Sequence, residues 1–431
     1  MRQHWDDAAA SYFDPPAFQL ALQSCVTVAR TVTFILQSNK REIPNFEVWY
    51  SVFQEKWGED PIMRWARDAR NSIEKQGDLG VHSQVKATIV ASYMDGPETN
   101  WVPQALFLTP MAMYRTIPAR FFIPHIREHG TLLIERRWVD KNLPDLEVLE
   151  ALAIVYERLA EMVLRFFKDY GLAAPTGVTS KRPEAMASLA MDRALYLSMR
   201  DGSPLGMRIF YGIVKTPDER QQRRVERRYG TKTTWQGLRD AKSLREVAEI
   251  FFRNARALMQ KDGHHRSFAF LARGPVVFRM IRTDHPARAY RYVIIRDLAK
   301  LAVIERADGV MLINEAWTAA VPDIPKSGFA VDASNRGEAI VLNAANANGY
   351  YVSFEAEVKR RRLGRRVKAI GPTIVDEEAL PFILLPFMRE WGCMDDLALE
   401  KALGRYDEMG IETPTIPPEN DGGGTASANE Q

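Results

Sequence analysis

Cysteine is almost missing from this 431-residue chain, which has only Cys25 and Cys393. Two thiols so far apart form neither a disulfide framework nor a thiolate metal site, and their scarcity points to a reducing compartment. Histidine is sparse as well, at seven residues. The opening, Met1-Arg2-Gln3-His4-Trp5-Asp6-Asp7, lacks the basic stretch and apolar run of a secretory signal, so export is not expected. Long uncharged apolar runs are absent too. The nearest approach, Phe18 to Asn39, carries Arg30 and is interrupted by Gln19, Gln23, Ser24 and Gln37. Its apolar residues Ala21, Cys25, Val28, Val32 and Ile35 recur at helical spacing, as in a helix buried inside a soluble, cytoplasmic protein with no membrane partner. P-loop, dinucleotide-binding and nucleophile-elbow patterns are all lacking, and no cofactor is expected.

The remaining composition, 46% hydrophobic and 26% charged, is that of a folded globular chain, and the length predicts two to three domains. Residues 1 to 205 read as a mostly helical domain with a small β insertion. Its helices are predicted over Phe18–Leu36, Asn45–Trp57, Asp60–Ile73, Leu146–Tyr170 and Pro183–Met199, and its strands over Val85–Met94 and Thr131–Val139. A charged connector is predicted over 206–262, with a short apolar run Met207–Val214 and a helix Leu244–Met259. From 263 to 395 strands alternate with helices, so the fold class is α+β. Strands are predicted at Ser267–Leu271, Val276–Ile281, Gly309–Ile313, Ala339–Asn343, Tyr350–Val358 and Arg366–Ile370, and helices at Ala289–Ala307 and Phe382–Trp391. Asn346-Ala347-Asn348-Gly349 reads as the turn of a hairpin. The stretch from 411 to 431, with three prolines and a run of three glycines, has almost nothing to bury and is predicted to be disordered.

Charge is unevenly spread. The net +3 includes four acids and no base after residue 410, so residues 1–410 hold 58 basic against 51 acidic side chains. Lys359-Arg360-Arg361-Arg362-Leu363-Gly364-Arg365-Arg366-Val367-Lys368 places seven positive charges in ten residues, with Leu363-Gly364 set to turn a hairpin. Arg220, Arg224, Arg227 and Arg228 share one face of a predicted helix, with Arg223 beside them. Such clusters repel themselves unless an anion or acidic partner relieves them, which makes RNA or an acidic protein partner a candidate ligand, the alternative being a solvated basic face. Tyr229, Trp235, Tyr350 and Tyr351 are the nearby aromatics for base stacking.

Two short patterns resemble known families. Phe18, Arg30-Thr31-Val32-Thr33-Phe34, Phe46, Trp49-Tyr50, Asp60-Pro61 and Ala69-Arg70-Asn71 together resemble the core of the HEPN superfamily of helical nucleotide-binding proteins. In that superfamily an Arg, often followed by Asn, is separated from a His by four to six intervening residues to make a ribonuclease site, commonly across a homodimer. Here Lys75, Gln76 and Gly77 stand where the His should fall, which implies a non-cleaving member using Arg30, Arg70 and Asn71 to shape a cleft. Alternatively, Arg30 and Arg70 simply pair with acids such as Asp60 or Glu74. His125-Ile126-Arg127-Glu128-His129 resembles the motif of inverted zincin peptidases. On a helix, His125 and His129 would bind zinc with Glu128 as base, the alternative being a polar loop with solvated histidines. Glu315, just after the apolar strand Val310–Ile313, is a further candidate site residue, with His264, His265, Asp284, His285 and Asp308 in the same domain. Trp317 reads as a core anchor. The chain is thus expected to be an accessory binding protein, with a hydrolase or an interaction scaffold as the alternatives.

Overall fold

The structure, a computed structural model, describes residues 1–76, 79–94, 101, 107–179, 194–205, 219–230, 235–284, 288–325, 329–361 and 366–394. The apolar run Met207–Val214, the tip Arg362-Leu363-Gly364-Arg365, His285 and the tail from 411 lie outside the described residues. The class is mixed α+β, built on two antiparallel sheets.

In the first half, helices α1 (Arg2–Ala10), α2 (Pro15–Ser38), α3 (Phe46–Glu59) and α4 (Pro61–Gln76) precede strand β1 (Val81–Val90). The helix starts follow from capping chemistry. Asp14 accepts the Ala17 N–H before a Pro-Pro first turn. Asp60 Oδ1 accepts Ile62 N at 2.9 Å, with Pro61 at the first helical position where no N–H is needed. After the short helices α5 (Pro110–Arg115) and α6 (Pro124–His129) come β2 (Thr131–Asp140) and β3 (Leu143–Glu147). Glu147 then caps α7 (Val148–Asp169) through Leu149 N and Glu150 N. Strand β4 (Ala194–Ser198) lies against Thr131–Glu135 of β2, so β2 pairs with all three other strands.

Residues 194–198 are thus a strand, where helical spacing predicts the end of a helix running to Met199. Leu197 joins the core on one face of the sheet and Tyr196 packs on the other, a period of two that shows only beside β2.

One face of this sheet carries the core of the first half. Trp138 is fully buried, stacks on Phe18 with centroids 4.6 Å apart, and donates its indole N–H to Tyr12 O at 2.9 Å. Toward the other end of the same face, Ile89, Leu132 and Ile134 pack with Met113 and Ile126 from α5 and α6. The opposite face bears Lys86, Thr88, Leu133 and Glu135 and meets the second half.

The second half begins with α8 (Glu219–Tyr229) and α9 (Leu244–Asp262), continues through β5 (Phe268–Arg273), β6 (Val276–Arg282), α10 (Tyr290–Ile304), β7 (Gly309–Thr318), β8 (Gly337–Asn346), β9 (Tyr351–Arg360), β10 (Val367–Ile370) and β11 (Ile374–Asp376), and closes with α11 (Leu385–Trp391). The sheet order is β10-β9-β8-β7-β5-β6, with β11 also pairing with β9. The central strands are covered on both faces, which the sequence of β7 records, while the edge strand β6 leaves Val276 and Met280 exposed. Met311 and Ile313 pack under α9 while Val310 and Leu312 face α10 and α11. α9, which the sequence reads as part of a connector, buries Val247, Phe251, Phe252 and Ala255 in the core of this sheet. Strand β7 runs on to Thr318, so Glu315 stands within a strand, five residues longer than the apolar pattern, rather than beyond its end.

The halves meet where Tyr292 and Val293 of α10 pack on Val90, Leu133 and Tyr196. Thr131 Oγ1 donates to Ala289 O at 2.8 Å, and Arg296 Nε donates to Ser92 O at 3.0 Å, adding directional bonds to that contact.

Candidate nucleic-acid interface

The two basic segments of the sequence converge at the C-terminal end of α9. That helix ends in Asp262, and Gly263 adopts φ +77°, the left-handed conformation that turns the chain away and favours glycine. From α8, Arg228 and Tyr229 both donate to the Asp262 carboxylate, the phenol at 2.8 Å. From β9, Arg360 Nη1 donates to the Gly263 carbonyl at 2.7 Å. The Arg360 guanidinium also makes a two-pronged pair with Glu338 and lies 3.9 Å from Glu315 Oε2. Glu315 in turn accepts the backbone N–H of His265.

The electrostatics match these contacts. Burial works to raise the Asp262 carboxyl, but the hydrogen bonds from Arg228 and Tyr229 outweigh it and hold the group below the usual carboxylate range. The bond to Glu338 raises Arg360 above the ordinary guanidinium value. Arg228 and Arg360 therefore act as joints that pin α8 and the β9–β10 hairpin to one end of α9.

Around these joints the other cations remain in solvent. Arg220, Arg224 and Arg227 of α8 are exposed, as are Arg361, Arg366 and Lys368 at the hairpin, and among the described residues none of the six has an acidic partner. Arg223 and Lys359 are exposed but paired, with Glu219 at 3.2 Å and Glu357 at 3.1 Å. Arg361 N bonds Arg366 O at 3.0 Å, which closes the base of the hairpin; Arg362 and Arg365 lie outside the described residues.

Trp317 sits beside this cluster. It stands directly opposite Glu338 in the β7–β8 register, is 48% exposed, and carries the Arg336 guanidinium 4.6 Å from its ring centroid. Its sequence reading as a core anchor is therefore corrected. β7 outruns the helix that covers it, and the last indole is left on the surface.

The other candidate residues are dispersed. Arg30 is exposed on α2 and bonds Thr33 Oγ1 at 3.0 Å, so it is not the buried guanidinium that the apolar helix predicts. Arg70 of α4 pairs with Glu74 and reaches Asn71 Oδ1 at 3.3 Å, while Asp60 is taken by Arg158 at 3.3 Å. No contact joins Arg30 to Arg70 or Asn71 among the described residues.

His125 and His129 do share a helix, the six-residue α6, but they are not solvated loop residues. His129 is buried and His125 Nε2 bonds Ala91 O at 2.8 Å. Their rings lie 5.2 Å apart under Phe329, and Glu128 pairs outward with Arg200 at 2.8 Å. Among the described residues no group of three or more His, Cys, Asp or Glu side chains is placed to hold a metal. Desolvation lowers both imidazoles, His129 to about 4.

Two features carry no sequence signal. A cavity of about 170 Å³ at the junction of the halves is lined by Lys86, Glu135, Arg296, Asp297 and Lys300 among others. Within it burial pushes the Asp297 carboxyl up to about 6, and Tyr196 Oη donates to it at 3.0 Å. Arg136, 2% exposed, lies in the first core over Trp138, with Nη2 on Leu108 O at 2.7 Å and with no partner for Nε and Nη1 among the described residues.

Fold and surface define an α+β protein of two antiparallel sheets with a cationic interface assembled at one helix end. The chain belongs to the phage lambda Ea47 family, whose model, described as bacteriophage lambda protein ea47, matches residues 1–398. It is similar to protein ea47 of Escherichia phage lambda, with 30% identity over 316 residues that cover 71% of this chain and 74% of that protein. No solved structure matches.

Proposed function

We propose that the protein binds RNA through the cationic surface at the end of α9, without sequence-specific base reading. The observation that carries this reading is the meeting of two basic segments, separate in the chain, on the adjacent residues Asp262 and Gly263. Arginines whose roles are structural are neutralised by Asp262, Glu315 and Glu338, and six further cations project around them. Clustering like charges costs folding free energy, and a polyanion offsets that cost by releasing its counterions. Trp317 supplies a flat face on which an unpaired base stacks, which favours a single strand over a duplex. The reading rests on this surface and not on a cleft between Arg30, Arg70 and Asn71.

The test is fluorescence anisotropy with a labelled 20-nucleotide single-stranded RNA at low salt. Serine replacing Arg220, Arg224 and Arg227 together, or Arg361 and Arg366 together, is expected to weaken binding at least tenfold in each case, and the combination more. If both variants bound like the unaltered protein, the surface would have no role in RNA binding. An acidic protein as the ligand instead would leave binding to RNA weak in all forms.

A further inference from the structure

We infer that the protein forms a homodimer by antiparallel packing of the exposed face of α2. Leu20, Phe34 and Ile35 of this helix are 68%, 59% and 55% exposed, an unusual apolar load for a surface helix. Its most apolar 18-residue stretch has a mean hydropathy of 1.3, yet only 28% of that stretch is buried. The core-facing side, with Phe18, Leu22, Cys25, Val26 and Ala29, is already packed against the rest of the first half. What is left over is a second face.

That face has a regular spacing. Leu20, Ser24, Thr27, Thr31, Phe34 and Ser38 follow one another at intervals of four and three residues, the spacing of a seam between two helices. Three of the four hydroxyls within it do not ask for water. Ser24 Oγ donates to Leu20 O at 2.9 Å, Thr27 Oγ1 to Gln23 O at 2.9 Å, and Thr31 Oγ1 to Thr27 O at 3.3 Å. Each is satisfied by its own helix, and the two threonines are free to turn methyl groups outward. Arg30, beside the seam, is the single charge in the helix.

The occupant is a second copy of the same helix. In an antiparallel seam the layers pair Leu20 with Ser38, Ser24 with Phe34 and Thr27 with Thr31, so each of the two bulky residues meets a serine and the central layer is threonine on threonine. A parallel pairing would set Phe34 on Phe34 and Arg30 beside Arg30. Antiparallel packing also brings the N-terminal Asp14 toward the second copy's exposed Arg41, an opposite charge at each end of the contact, while Lys40 is held by Glu47 at 2.9 Å within its own copy. The seam from Leu20 to Ser38 is about 27 Å long. Such a contact buries on the order of 1,000 Å² in total, at the small end of specific interfaces, so dissociation in the micromolar range is expected. Insertion into a lipid bilayer is disfavoured, because it would pull Phe18, Leu22 and Val26 out of the folded core.

Sedimentation velocity of the full chain from about 1 to about 100 µM tests the proposal. The unaltered protein is expected to pass from monomer to dimer across that range. Thr27→Arg, which sets a charge near the second copy's Arg30 at a solvent-exposed position, is expected to stay monomeric with unchanged circular dichroism and melting temperature. Mixing Ser24→Cys with Phe34→Cys under mild oxidation is expected to give a disulfide-linked heterodimer, which parallel packing would not. A protein that is monomeric throughout, a Thr27→Arg variant that still dimerises, or a monomer that instead co-sediments with phosphatidylcholine vesicles would each overturn the proposal.

Discussion

Arg228 and Arg360, 132 residues apart in the chain, donate hydrogen bonds to the neighbouring residues Asp262 and Gly263. Arg228 meets the Asp262 carboxylate and Arg360 the Gly263 backbone carbonyl, both at the C-terminal end of a helix, where cations are favoured. The consequence is that α8 and the β9–β10 hairpin share one support, and the cations they carry form one surface.

The Arg360 joint is expected to stabilise the second half measurably. Arg360→Met removes the donor to Gly263 O and leaves Glu338, whose side chain is only 12% exposed, without its partner. An unpaired, largely buried carboxylate costs about 1–3 kcal/mol. Chemical denaturation should show that loss, and replacing Glu338 by Gln in the same chain should recover part of it.

Acid is expected to weaken the contact between the halves through His129. Its imidazole is neutral in the folded state, with the pKa lowered to about 4 by burial against an ordinary value of 6.5. Its contribution is therefore complete above pH 6.5 and is lost as pH falls from there to about 4, since only the unfolded chain takes up the proton in that window. The difference amounts to about 3 kcal/mol at most. Urea unfolding of the unaltered protein and of His129→Gln at pH 7 and pH 4.5 checks this. The variant should lose less stability between those two values.

Asp297 is expected to behave in the opposite sense. Burial raises its carboxyl to about 6 against an ordinary value of 3.8, so the folded state is penalised above pH 6 and the penalty fades as pH falls toward 3.8. Asp297→Asn keeps an acceptor for Tyr196 and removes the charge. It should raise the melting temperature at pH 8, with the gain shrinking at pH 4.5; a loss at pH 8 would assign the carboxylate a structural role instead.

Much of the fold was legible in the sequence because its signals are local. Asp60-Pro61, the helix Val148–Asp169 and the turn after Asn346 announce themselves through capping, apolar spacing and turn chemistry. Strand β4 was not legible, since its alternation acquires meaning only beside β2. The site was partly legible. Both basic segments stand out as charge, but their meeting at Asp262 and Gly263 depends on the packing of α9 against the sheet. The exposure of Trp317 was hidden for the same reason, because an indole at the end of an apolar strand reads as core until the covering helix is seen to stop short.

Arg136 provides a further check on burial. Its guanidinium is 2% exposed, and desolvation lowers its pKa to about 10 against an ordinary 12.5. Arg136→Met should therefore be neutral or stabilising by about 1–2 kcal/mol, the lost bond to Leu108 O being offset by relief of the buried charge. A loss above about 3 kcal/mol in denaturant unfolding would show that the guanidinium is an essential buried anchor.

Trp317 is expected to report ligand directly. With the ring 48% exposed, stacking of a base should quench its fluorescence, and Trp317→Ala should weaken single-stranded RNA binding by about 1–3 kcal/mol. Thermal stability should be unaffected, as nothing in the core depends on the indole. If the variant binds RNA as before, the strand does not pass over this residue.

The central claim, that the surface at the end of α9 is a polyanion site, is most directly tested by the salt dependence of RNA affinity. Six exposed cations without an acidic partner among the described residues surround the joints. Plotting log affinity for a single-stranded RNA against log salt should give a slope between about −3 and −4 for the unaltered protein. Replacement of Arg220, Arg224 and Arg227 by Ser should make it shallower by about 2. A slope near zero, or one that the three replacements leave unchanged, would contradict the account.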